Sequence, residues 1–546
     1  MDEDIEFAIT ISDRHVDRYI DRLLKDWGNG FADNTFLNRS MSYPVFTEKF
    51  INNSNKLDWS KQIELACKQD IKNEHRALRG SCLMGSVDIV KWISKNSDIN
   101  YCGKDGYFPL LLASQQGHVN VVKELLQQSQ STDATISIDN EVVCLWMKCH
   151  KRHAIHVNKC RNDDTTLLQN ASVENRIEVV SVHLQCQDIS INLCDKEVRS
   201  SLYWASQQGH VGVVKELLQQ TAKINVCSNK DDSPLWIASK NGHVHVVTEL
   251  LQHSADIKRC KNNGVSPLWI TSYRGHVNVV KELLHNSTCS TEVNFCNNKD
   301  ATPLWVASQE GHAGIVKELL QYLAKCVDVD VNLCDDNGGA SLYLASQEGH
   351  FNVVKILIKH FAKENTCNDK GLSPLWIASQ EGHVPVVEEL LQHSADVIFC
   401  NNIGLSPLWI ASRQGHVNTV KELLCHFEQV NKCCDDGISP LQIASYNNRI
   451  KVVKVLFQCQ DIIMYLCDKE GRSALYWASQ QGHVGVVKEL LQQTTKINIC
   501  RDKGASPLWI ASKNGHEDVV TELSADSTNC KNNGVSPLDS MSPRTF

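Results

Sequence analysis

Ser373-Pro374-Leu375-Trp376-Ile377-Ala378-Ser379-Gln380-Glu381-Gly382-His383-Val384-Pro385-Val386-Val387-Glu388-Glu389-Leu390-Leu391 is the stretch that decides how this chain folds. Ser-Pro reads as a helix start: the serine side chain caps free amides, and proline suits the first helical position, where no donor is needed. Leu375, Ile377 and Ala378 then fall on a short helix. Gly382 can take the left-handed conformation that ends it. Val386, Val387, Leu390 and Leu391 lie at helical spacing on a second helix. Thirty-three residues later the phrase returns at Ser406–Leu424, and it stands earlier at Ser233–Leu251 and Ser266–Leu284. A period of this size marks a stacked array, in which each unit buries its apolar face against its neighbours.

The leading Leu of each unit can be followed from Leu110 to Leu538, mostly in steps of 33 or 34 residues. Asn263-Gly264 in a linker is a hairpin signal. Each unit is thus expected to be helix, tight turn, helix and projecting hairpin. Thr302-Pro303-Leu304, Ala307, Gly311-His312, Val316 and Leu319-Leu320 resemble the ankyrin repeat family, and most other units match with Ser for Thr. The resemblance covers roughly residues 75–540. It implies an all-α ankyrin-repeat solenoid, its units stacked in a curved array behind an N-terminal helical segment. Two features depart from the family pattern. An aromatic replaces the histidine after Pro-Leu, as at Trp236, Trp269, Trp305, Trp376 and Trp409. The glycine that ends the second helix is often missing, as in His253-Ser254-Ala255-Asp256.

The expected organisation has five parts. Residues 1–70 form a helical segment, with Val16, Tyr19, Ile20, Leu23, Leu24 and Trp27 at amphipathic spacing. Residues 71–127 hold a divergent first repeat, with Gly85-Ser86 in place of Gly-His, and the first regular repeat. Residues 128–167 are a degenerate repeat or insertion, 168–538 the repeat array, and 539–546 a polar tail. A longer duplication lies above the short one: Ser206–Gln220 recurs unchanged as Ser479–Gln493, inside matching blocks 171–250 and 444–523.

Composition limits the function. The 546 residues carry a net charge of −8, which favours neither nucleic acid nor an anionic membrane. No apolar run reaches the roughly 18 residues of a membrane span, and Met1-Asp2-Glu3-Asp4 lacks the basic start of a signal peptide. The expectation is a monomeric intracellular protein, cytoplasmic or nuclear. Thirteen of the 23 cysteines occupy one slot, eight residues before the leading Leu. Equivalent slots in stacked units stand roughly 8–10 Å apart, beyond the roughly 7 Å a disulfide tolerates, so this ladder stays reduced. Ten histidines share the Gly-His slot, which points to a structural hydrogen bond at the turn. No nucleophile–base pair, kinase signature or phosphate loop is present, so no catalytic residue and no cofactor is assigned.

The variable positions in a nearly fixed frame are the candidates for recognition. They follow Ala-Ser on the first helix: Gln207-Gln208, Lys240-Asn241, Tyr273-Arg274, Gln309-Glu310, Gln347-Glu348, Gln380-Glu381, Arg413-Gln414 and Lys513-Asn514. The Trp column joins them if it forms an exposed ridge; otherwise it stacks between repeats. The function expected is a non-enzymatic scaffold or adaptor that binds other proteins along the concave helix–hairpin face. Two alternatives stand beside it. One is a targeting or regulatory subunit of a ubiquitin ligase or phosphatase assembly. The other is zinc binding through Cys144, Cys149, His150, His153, His156 and Cys160, a spacing that matches no standard finger.

Overall fold

The computed structural model describes residues 107–131 and 165–527, apart from 187–188, 259–260, 288–292, 326–329, 427–428 and 494–505, together with 78–83 and parts of 85–99. The expected N-terminal helical segment, the 144–160 Cys/His cluster and the polar tail lie outside the described residues. The chain divides into two compact units, Met1–Asn262 and Asn263–Phe546.

Each unit is built from antiparallel helix pairs. Among the described residues the first unit has four pairs between Pro109 and Gln252, and the second has eight between Pro267 and Ser527. Within a unit, first helices pack on first helices and second helices on second helices. No strand forms among the described residues; the hairpins contribute only isolated bridges, Cys194 with Ser200 and Cys334 with Ala340.

The repeated phrase explains each piece. Ser373 accepts the amide of Trp376 at 3.1 Å, with Pro374 at the first helical position. Ser406 and Thr302 cap their helices in the same way. Gly382 closes the first helix at φ +79°, and the chain reverses at once into helix Val384–Gln392. Where the second helix lacks its glycine, another residue takes the left-handed conformation instead: Thr221, Ser254, Phe361 and Ser394 have φ between +63° and +67°. An L side chain there costs about 1–2 kcal/mol.

The core is the stripe foreseen from the sequence. Leu375, Ala378, Val386, Val387 and Leu390 are fully buried. Neighbouring hairpins are joined by backbone amides, as where Asp369 N donates to Asn337 O at 3.0 Å and Lys469 N to Asp436 O at 3.2 Å. The solvent side of the second helices carries cross-repeat ion pairs: Lys215 with Glu249 in the first unit, and Lys281 with Glu318 in the second.

In the first unit, helices Pro109–Gln116 and Leu167–Val173 pack directly on one another. Arg176 Nε donates to Gln115 O across that junction at 3.0 Å. Further towards the N-terminus, His118 lies over Gly85 and bonds Leu83 O at 2.9 Å.

Candidate partner-binding face

Polar groups of the frame join each repeat to the one before it. The histidine after glycine bonds backward: His243 Nε2 lies 2.9 Å from Gln207 O, His383 from Gln347 O at 2.9 Å, and His416 from Gln380 O at 2.8 Å. Its acceptor is the first helix of the preceding repeat, rather than its own interhelical turn. The ring covers that repeat's glycine so closely that a Cβ on Gly382 would sit 2.6 Å from His416 Nδ1. Two repeats use arginine in place of histidine. Arg176 and Arg449 lie over Gly117 and Gly415 and donate Nε to Gln115 O and Arg413 O, each at 3.0 Å. In their own repeats Asn175 and Asn448 take the left-handed glycine position. The sequence pattern alone gave no sign that Asn-Arg performs the task of Gly-His.

The cysteine column is structural among the described residues. Cys194, Cys334, Cys367, Cys400, Cys433 and Cys467 are free thiols, each bonding the carbonyl two residues before it at 3.2–3.5 Å. No group of three or more potential metal ligands occurs among the described residues.

The Pro-Leu tryptophans Trp236, Trp269, Trp305, Trp376 and Trp409 face their neighbours, while Trp509 in the same slot is 41% exposed. Trp236, Trp376 and Trp409 are 3%, 5% and 6% exposed, which leaves almost no ring for a partner. Trp269 and Trp305 are half-buried. The indole N–H of Trp269 donates to Ala301 O, that of Trp305 to Gly339 O, that of Trp376 to Leu405 O and that of Trp409 to Ile438 O, at 2.9–3.0 Å. In the second unit Tyr343, Trp376 and Trp409 form one apolar cluster with Leu344, Ile377 and Ile410. These rings therefore belong to the interior between repeats, and the exposed-ridge reading does not hold for the three buried ones.

The pair after Ala-Ser has a different setting. Gln208, Asn241, Tyr273, Arg274, Glu310, Glu348, Glu381, Arg413, Gln414, Lys513 and Asn514 are exposed, while Gln207, Lys240, Gln309, Gln347 and Gln380 are half-buried. Several are oriented by the frame: Asn241 Nδ2 donates to Gln207 O at 2.8 Å, Lys240 and Lys261 lie over the Trp236 ring, and Arg413 lies over Trp409 at 6.0 Å. Tyr273 stacks on Trp269 with ring centroids 5.8 Å apart.

The sequence reading missed a cluster that occurs once in each duplicated block. Asp195, almost fully buried, accepts Arg199 Nε at 2.9 Å and Trp204 Nε1 at 3.3 Å, and the guanidinium lies 4.2 Å over the indole. Asp468, Arg472 and Trp477 repeat it at 2.7, 3.2 and 4.0 Å. Both fix hairpin to first helix. A signal was present: the tryptophan moves one place along, to Trp204 and Trp477, only where Asp-Lys-Glu-x-Arg precedes it. His183 was also missed. It occupies a leucine slot and is fully buried, with Nε2 against Ser114 Oγ at 3.0 Å.

No helix of the described residues is long and apolar enough to cross a membrane. Comparison with curated proteins gives no match. A family model for ankyrin repeats in three copies matches overlapping stretches that run from residue 222 to residue 534, and one for a single ankyrin repeat matches 105–140 and 199–229. Those stretches cover most of the stacked pairs described above, and the chain belongs to the ankyrin repeat family, whose repeats are protein–protein interaction modules.

Proposed function

We propose that this protein is a non-enzymatic scaffold or adaptor that binds partner proteins on the face formed by its first helices and hairpins. One observation carries this reading. Caps, histidines, glycines and tryptophans are occupied within the stack, whereas the second residue of each named pair is exposed and the pairs range from Gln-Gln and Gln-Glu to Lys-Asn, Tyr-Arg and Arg-Gln. A surface with a constant frame and variable exposed residues is how a repeat array separates stability from specificity. The concentration of exposed Tyr and Arg at Tyr273-Arg274 and Arg413 fits the residue types that dominate interfaces.

The test is a combined Lys240→Ala, Tyr273→Ala, Arg274→Ala and Arg413→Ala variant against a partner captured by affinity purification. Binding is expected to fall at least tenfold with helix content unchanged. Retention of full affinity by the folded variant would overturn the assignment.

A further inference from the structure

We propose that helix Pro507–Lys513 presents an unfilled repeat junction, and that the chain's own segment Cys530–Leu538 seats on it and closes the stack. This inference does not depend on where partner proteins bind.

The open face lies on the last first helix of the second unit. Trp509 is 41% exposed there, against 5% and 6% for Trp376 and Trp409 in the same slot. Leu508 is half-buried, whereas the leading leucines Leu375, Leu408 and Leu441 are buried. One repeat earlier, a Cβ on Gly482 would sit 2.7 Å from His516 Nδ1; among the described residues nothing stands within 4 Å of a Cβ on Gly515. The junction before this helix is complete and the one after it is not.

The complete junctions define what is missing. The indole N–H groups of Trp269, Trp305, Trp376 and Trp409 donate to the carbonyl just before the next helix cap, at Ala301, Gly339, Leu405 and Ile438. The leucine two places after that cap is buried each time, at Leu304, Leu342, Leu408 and Leu441. Trp236 in the first unit adds a third element: Lys240 and Lys261 lie over its ring, at 5.5 and 4.4 Å. Over Trp509 the described residues place Lys513, at 5.0 Å, in the position of Lys240.

Cys530-Lys531-Asn532-Asn533-Gly534-Val535-Ser536-Pro537-Leu538 supplies the rest. It repeats Cys260–Leu268 letter for letter, as Ser506–His516 repeats Ser233–His243. Lys531 is the counterpart of Lys261, Val535 offers the carbonyl before the cap position Ser536, and Leu538 is the leucine two places on. Asp539–Phe546 holds no Gly-His, so the segment supplies the hairpin side of a junction and not the ring over Gly515. The connection is shorter than usual, because Leu251-Gln252-His253 have no counterpart between Leu523 and Ser524. The eight residues from Ser527 to Val535 still reach about 26 Å when extended, more than the roughly 10 Å between neighbouring helices. An array needs its ends covered, because an apolar end face invites stacking by a second copy.

Hydroxyl-radical footprinting of the full chain, read by mass spectrometry at each tryptophan, tests this. The parent is compared with Val535→Asp/Leu538→Asp and with Ser540→Asp/Ser542→Asp, which adds the same charge outside the segment. In the parent Trp509 is expected to react as slowly as Trp376 and Trp409. In the first variant its rate should rise about sevenfold, the ratio of 41% to 6% exposure, and in the second it should not change. Constant rates at Trp376 and Trp409 report that the array stays folded; if those rise, the milder Leu538→Ala decides instead, with a smaller rise at Trp509 expected. A fast-reacting Trp509 in the parent overturns the proposal, as does protection that survives the substitutions within the segment. Protection lost on dilution, with a dimer mass by light scattering, gives the face to a second copy and overturns it as well.

Discussion

His183 gives the sharpest test of how these repeats are held. It stands on helix Ile177–Leu184 where the duplicated block has Leu456, and both side chains are fully buried. Ser114 donates its own hydroxyl proton to Leu110 O at 2.7 Å, so His183 Nε2 must donate to Ser114 Oγ. Nδ1 is then an unprotonated acceptor with no partner. Burial pushes the imidazole pKa down from 6.5 to about 4. The sign follows from linkage. The folded state holds the neutral ring while the unfolded chain takes up a proton near pH 6.5, so stability is lost as pH falls from 6.5 towards 4. A difference of this size corresponds to about 3 kcal/mol at pH 4, at roughly 1.4 kcal/mol per pKa unit. His183→Leu removes the term. Hydrogen exchange on the full chain, followed from pH 7 to pH 4, is expected to show helix Ile177–Leu184 protected in the variant and opening progressively in the parent. The opening free energies should diverge by about 3 kcal/mol, while Ile450–Leu456 behaves alike in both proteins. A parallel pH dependence of the two proteins at Ile177–Leu184 would refute the assigned tautomer and the orphaned Nδ1.

Other substitutions separate the parts of the frame. Gly382→Ala, at φ +79° and against the His416 ring, should cost about 2–3 kcal/mol in urea unfolding, from the left-handed backbone and the displaced His416–Gln380 bond. Gly515→Ala has the same backbone conformation with no atom within 4 Å, so it should cost less by about the value of that bond. Trp409→Phe keeps an aromatic side chain but shrinks it within the buried cluster and removes the donor to Ile438 O, for an expected loss of about 2–4 kcal/mol by the same measurement. Phe361→Gly relieves a left-handed residue whose side chain is 89% exposed, and should raise stability by about 1 kcal/mol.

The sequence made the helix pairs legible because their signals are local. Ser-Pro, Gly and the Val-Val…Leu-Leu stripe each act within four residues of their own position. It could not settle the tryptophans, since a column of indoles has the same spacing whether it points inward or outward. What decides is the carbonyl each N–H finds, and Ala301, Gly339, Leu405 and Ile438 lie 29–34 residues further along. The Arg176 and Arg449 substitutions were hidden for the same reason: their equivalence to histidine appears only over the glycine of the repeat before. The direct contact of Pro109–Gln116 with Leu167–Val173 joins helices some fifty residues apart in sequence, which no local signal marks. The variable pairs were legible as positions, because the frame around them is nearly fixed.

Amide hydrogen exchange of the full chain with and without a captured partner protein tests the central claim most directly. Protection is predicted at the ends of the first helices and in the hairpins, around Gln309-Glu310, Gln347-Glu348, Gln380-Glu381 and Arg413-Gln414, with the second helices unchanged. Protection centred on second helices such as Val384–Gln392 and Val417–Cys425, with the first-helix ends exchanging as in the free protein, would contradict it.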